Sequence, residues 1–170
     1  KRTMMLVIIA LVPCLLFGIY NTGFQHYRVL GELEIISFWE IFLKGALVVL
    51  PLVVVSYGAG LFVEFIFAIK NGHTVQEGFL VSGMLIPLTM PADVPLWMVA
   101  IATAFAVIIG KEIFGGTGMN VVNIALTARA FLFFAYPTSM SGDKVWMSGL
   151  GDKMSTNSAD LDGFSGATAL

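Results

Sequence analysis

The chain has 170 residues, 58% of them hydrophobic and 12% charged, with a formal net charge of −2. Soluble domains carry about 25% charged residues, so this composition, with a mean hydropathy of +0.90, points to an integral membrane protein and excludes a disordered chain. No basic stripe is present to meet phosphates, which argues against nucleic-acid binding, and a single cysteine, Cys14, cannot build a disulfide framework or a thiolate metal cluster.

A bilayer core about 30 Å thick needs roughly 20 apolar helical residues to cross it. Thr3–Gln25 carries no charge, follows Lys1 and Arg2, and reads as the first span. It is too long for a signal-peptide core and lacks a small-residue cleavage site. A polar stretch with Arg28, Glu32, Glu34, Glu40 and Lys44 separates it from a second span, Gly45–Val63, which extends past Glu64 to Ile69 and closes at Lys70-Asn71-Gly72-His73. Gly78–Ala92 contains Pro87 and Pro91, Asp93-Val94-Pro95 follows, and Val94–Gly110 is a further uncharged run ending at Lys111-Glu112. These two segments read as short spans, or as half-spans meeting at a proline-interrupted backbone, an arrangement that accompanies binding sites in membrane proteins.

The glycine-rich stretch Phe114–Gly118 lacks the Gly-Lys-Ser/Thr ending of a phosphate loop and reads as a helix-terminating turn. A last apolar run covers Val121–Tyr136, and from Pro137 the composition turns polar and rich in Gly, Ser and Asp. The expectation is an all-α, polytopic transmembrane helical bundle with short or broken helices, about five spans or half-spans over residues 1–137. A long polar extramembrane loop follows over 138–170. Both ends read as cut from a larger subunit. Basic residues divide evenly between the two sides, so the acids and the long loop decide orientation: N-terminus cytoplasmic, loop outside.

Glu64 and Arg129 are the ionisable residues placed within apolar runs. An acid inside a span is a functional candidate by default, with snorkelling towards the Lys70 end as the alternative. Arg129 is a candidate partner for Glu64 or for another chain. Gly60, one turn before Glu64, opens a flat patch suited to a planar ring or to a neighbouring helix. Asn120 and Asn123 share a face if a helix has begun there. They are candidate ligand contacts, the alternatives being a helix cap for Asn120 and a helix–helix polar contact for Asn123. His26 and His73 have no metal-ligand spacing, and no metal site is expected. Trp39, Trp97, Tyr20, Tyr27 and Tyr136 lie near span ends, as interfacial anchors do.

The stretch Asp162-Gly163-Phe164-Ser165-Gly166-Ala167-Thr168 resembles the covalent flavinylation motif Asp-x-x-Ser-Gly-Ala-Thr, at which a flavin transferase joins FMN phosphate to a threonine hydroxyl. Thr168 supplies the hydroxyl, and the small Gly166 and Ala167 let a phosphate approach the backbone. The alternative is a flexible loop. Lys1-Arg2-Thr3-Met4-Met5, Glu77-Gly78-Phe79, Pro95-Leu96-Trp97, Lys111 to Gly118 and Arg129 to Pro137 occur in the order seen in the NqrB/RnfD family. The chain resembles that family along essentially its whole length, and the Arg129–Pro137 string is nearer the NqrB branch.

The resemblance implies a membrane redox subunit of a sodium-translocating NADH:quinone reductase in a bacterial inner membrane. FMN esterified at Thr168, with Asp162, Ser165, Gly166 and Ala167 as its motif, would accept electrons from a partner subunit's flavin. Non-covalent riboflavin would pass them towards quinone, coupled to sodium export. Asn120 and Asn123 match riboflavin contacts, and Arg129 is placed to stabilise a reduced flavin. Gly60, Glu64 and Phe79 match a quinone region, Glu64 corresponding to a carboxylate associated with sodium passage or quinone. Ile124 stands where the family commonly has proline, and Leu61 where some relatives have a second glycine. Two alternatives stay open: an Rnf-type subunit with a different electron donor, and a secondary transporter whose broken helices at Pro87–Pro95 bind a solute. A transporter has no use for Asp162 and Thr168 in that register.

Overall fold

The computed structural model describes residues 2–30, 36–71, 78–115 and 122–140. Among them there is no strand, and the elements are α1 (Arg2–Leu30), α2 (Phe38–Asn71), α3 (Gly78–Thr89), α4 (Leu96–Val107), a single π-helical turn (Ile108–Glu112), α5 (Ile124–Ala135) and α6 (Pro137–Met140). Two helical stretches, Met4–Arg28 and Phe38–Lys70, are long and apolar enough to cross a membrane.

α2 begins well before the expected Gly45, because Ser37-Phe38-Trp39-Glu40 is a Ser-x-x-Glu capping signal. The Ser37 N–H donates to Glu40 Oε2 at 3.3 Å, and the Glu40 N–H donates to the Ser37 carbonyl at 3.0 Å. Glu40 and Lys44, expected in a connecting stretch, therefore lie in the first two turns of the helix.

α1 packs along α2 through two glycines. A Cβ placed on Gly23 would collide with the Ile41 carbonyl, and one on Gly45 with the Ile19 carbonyl. The two backbones touch with no side chain between them, the close approach that small residues allow in membrane helix pairs. Tyr20 of α1, expected as an interfacial anchor, stacks on Phe38 of α2 at 5.3 Å and 26°. Most of the rest of α1 is exposed apolar surface, including Met5, Leu6, Ile9 and Phe17.

The core lies among α2, α3, α4 and α5, around Leu52, Phe79, Ile86, Val99, Val107, Ile124 and Leu132. Burying apolar side chains among helices in this way leaves polar groups there needing partners. Ser56 of α2 donates to the Gly83 carbonyl at 3.1 Å, and Tyr57 donates to the Leu80 carbonyl at 2.6 Å. These bonds fix α3 against α2. The Phe105 and Phe131 rings, stacked at 4.3 Å, join α4 to α5, and Trp97 meets Tyr136 edge-on at 5.6 Å.

The expected proline break lies between α3 and α4. Pro87 is accommodated in the last turn of α3, while Pro91 follows its end and Pro95 caps α4. Proline lacks an N–H and fixes φ, so it suits the start of a helix better than its middle. After the π-turn the chain ends its helix at Gly115, whose φ of +104° only glycine adopts without strain. The Gly116–Gly118 part of that turn lies outside the described residues.

Candidate functional site

One cluster of charges lies inside the bundle. α2 presents Leu52, Ser56, Gly60, Val63 and Glu64 inward, while α4 and the π-turn present Val99, Thr103, Val107, Gly110 and Lys111. Glu64 is 3% exposed and Lys111 2%, and the Lys111 ammonium donates to Glu64 Oε1 as a buried ion pair. Glu64 therefore does not snorkel. Its partner is Lys111 and not Arg129, because Arg129 Nη1 donates to the Thr89 carbonyl at 2.8 Å, tying α5 to the end of α3.

Lys111 stands at the close of an uncharged run and reads in the sequence as the interfacial end of a span. What buries it is the π-turn, closed by the Ile113 N–H on the Ile108 carbonyl at 3.0 Å, together with a carboxylate 47 positions away. Single π-turns within α-helices are uncommon and recur at functional sites. The sequence does offer one signal: a run of apolar residues too short to cross a bilayer, ending in a cation.

The polar accounting around the pair is incomplete. Glu64 Oε2 and Thr103 Oγ1 are buried and have no hydrogen-bond partner among the described residues. Glu112 Oε1 lies 3.9 Å from the Lys111 ammonium, its side chain 10% exposed. Two carboxylates thus face one ammonium. Removing one member of a buried pair commonly costs about 3–5 kcal/mol, because the other charge is left uncompensated.

Gly60 does not present an open patch here. The Phe79 ring lies directly on it, so close that a Cβ at Gly60 would overlap the ring. Phe79 is fully buried and meets Tyr57 edge-on at 6.3 Å. Gly60 and Phe79 are brought together as expected, but the glycine face serves helix packing, and a planar head group could reach it only by displacing the ring.

Asn123 is the N-cap of α5: its Oδ1 accepts from Ala125 N–H at 3.0 Å and from Leu126 N–H at 3.3 Å. The cap falls on Asn123 because α5 begins at Ile124, three residues later than the expected Val121. Its amide nitrogen remains available on an exposed residue. We expect Asn123→Ala to destabilise the α5 end by about 1 kcal/mol, measured as a lower melting temperature of the solubilised protein. Full retention of bound flavin in that variant would assign Asn123 to capping alone. Asn120, Asp162, Ser165, Gly166, Ala167 and Thr168 lie outside the described residues. No group of three or more His, Cys, Asp or Glu side chains able to hold a metal ion occurs among the described residues.

Comparison with known proteins adds a family to this geometry. Residues 1–170 match the NQR2, RnfD, RnfE family. The chain is 42% identical over 189 residues to the NqrB subunit of the Na(+)-translocating NADH-quinone reductase of Chromohalobacter salexigens, covering 100% of this chain and 43% of that protein. It is 40% identical over 191 residues to the corresponding subunit of Azotobacter vinelandii and 41% to that of Stutzerimonas stutzeri, in each case across 100% of this chain and 44% of the relative. The chain therefore spans less than half the length of these curated relatives.

Proposed function

Because the chain belongs to the NQR2, RnfD, RnfE family, an integral membrane family whose apolar helices it shares, we propose that it is the flavin-carrying part of a membrane redox subunit of a sodium-translocating NADH:quinone reductase. The observation that carries this reading is the Asp162–Thr168 motif in a chain about 40% identical to proteins named as that subunit. Thr168 would hold FMN as a phosphoester, with Asp162, Ser165, Gly166 and Ala167 forming the sequence a flavin transferase reads. Bound flavin supplies the redox chemistry, and the protein supplies position and electrostatics. Asn120, the free amide of Asn123 and Arg129 are candidate contacts for a non-covalent riboflavin.

Within this reading Glu64 is the ion-coupled carboxylate, since it is the acid the bundle buries on α2. Gly60 and Phe79 border a quinone-facing region only if the ring moves. The other subunits of the complex, quinone, sodium and membrane lipid are the partners, in a bacterial inner membrane, with the N-terminus cytoplasmic and the FMN-bearing loop outside.

The test is to express the full subunit in its complex together with a flavin transferase, then examine denaturing gels for flavin fluorescence and assay NADH-driven quinone reduction with and without sodium. Fluorescence on this subunit with sodium-stimulated turnover is expected. Absence of covalent flavin would overturn the reading. Flavin with turnover from reduced ferredoxin but not NADH would shift it to the Rnf branch of the same family.

A further inference from the structure

The charge arrangement around Lys111 has two pairings built into it. The ammonium is bonded to Glu64 Oε1, yet Glu112 Oε1 is already only 3.9 Å away. One ammonium cannot neutralise two carboxylates, so the cluster carries one uncompensated negative charge, and the buried Glu64 Oε2 has no partner among the described residues. In a low-dielectric interior such a deficit is costly unless another cation supplies it. A single monovalent charge is what the deficit requires, and the described residues hold no cluster of acids or histidines suited to a divalent ion. The π-turn carrying Lys111 winds more widely than an α-turn, so a return to α geometry would rotate the lysine about the helix axis.

We propose that Lys111 is a tethered counter-cation that alternates with a small monovalent cation at the Glu64 carboxylate, retreating to Glu112 when the ion binds. Without the ion, Lys111 neutralises Glu64, and the more exposed Glu112 keeps its charge. With the ion on the Oε2 side, Glu64 is neutralised by it and Lys111 pairs with Glu112, so every charge is matched. The ammonium thus keeps the buried carboxylate from standing bare, and it limits how tightly the ion is held. The inference rests on the reading of Glu64 as the ion-coupled carboxylate.

The experiment uses the whole complex and measures the sodium concentration giving half-maximal stimulation of quinone reduction, alongside direct binding of radioactive sodium and total flavin content. Lys111→Met removes the competitor and should lower the half-maximal concentration about tenfold, within the usual range of site–site coupling, while slowing turnover. Glu112→Gln removes the alternative partner and should raise it by a similar factor. Lys111→Arg, whose fork can hold both carboxylates at once, should raise it too. Opposite shifts for Lys111→Met and Glu112→Gln are something a static structural pair would not produce. Unchanged values, or shifts in one direction, overturn the proposal. If Lys111→Met does not assemble, Glu112→Gln and Lys111→Arg decide the matter. Glu64→Gln separates the two levels. Sodium dependence that survives it overturns the role of Glu64. Dependence lost in Glu64→Gln but at the parent value in the Lys111 and Glu112 variants overturns the counter-cation alone.

Discussion

Thr168→Ala should leave the subunit assembled and without any covalent flavin. A phosphoester needs an oxygen nucleophile on the side chain, and alanine has none, so the loss is complete and not graded. Thr168→Ser keeps a hydroxyl and should retain part of the modification, which separates the chemistry of attachment from recognition of the surrounding Asp162–Ala167 sequence. The stretch is polar and rich in glycine, and substitutions away from buried groups usually change stability by less than about 0.5 kcal/mol, so the protein yield should be close to that of the parent. In-gel fluorescence and the intact mass of the subunit check the result. A flavin-sized mass still present on the Thr168→Ala protein would place the attachment elsewhere.

The second large effect is structural. Gly45→Ala should separate α1 from α2, whereas Gly18→Ala on α1 should be neutral or mildly stabilising. Both changes give a helix the same gain in intrinsic propensity, about 1 kcal/mol. The surroundings differ: a methyl at Gly18 meets nothing within 4 Å, but one at Gly45 runs into the backbone carbonyl of Ile19 and comes within 3.0 Å of the Gly23 nitrogen. Overpacking commonly costs about 1–3 kcal/mol where side chains can adjust. A carbonyl within a helix cannot turn aside, so Gly45→Ala should reach or exceed the top of that range. Thermal melting of the solubilised complex, with the two variants side by side, measures the contrast. Equal melting temperatures would mean that α1 and α2 do not meet through these glycines.

The membrane class and the flavin-type motif were legible because each depends on local information: an excess of apolar residues, or seven residues in a row. The helical breaks near Pro91 and Gly115 were legible for the same reason, since proline and glycine act on their own backbone. The start of α2 was also written locally, in Ser37 and Glu40, but the charges there read as a connection when judged by polarity alone. Lys111 was not legible. Its burial depends on a widened turn and on Glu64 far away in the chain, and neither leaves a local trace. Gly60 was legible as a close-contact position, but not what contacts it, because the Phe79 ring arrives from another helix. Asn123 shows the sensitivity of such readings to boundaries: moving the start of α5 by three residues turns a helix-face amide into a cap.

The position of Glu64 along α2 has an electrical meaning. At a rise of 1.5 Å per residue it stands about 9 Å from Lys70 and about 30 Å from Lys44, the charges that bracket it on the helix. With a transmembrane voltage falling evenly over that length, an ion travelling between the Lys70 end and the carboxylate samples roughly a quarter of the drop. That is on the order of 0.5 kcal/mol per 100 mV, against about 2.3 kcal/mol for a full crossing. Exchange at Glu64 from the nearer side is therefore almost insensitive to membrane potential, and the electrical work of translocation falls on the longer path towards Lys44.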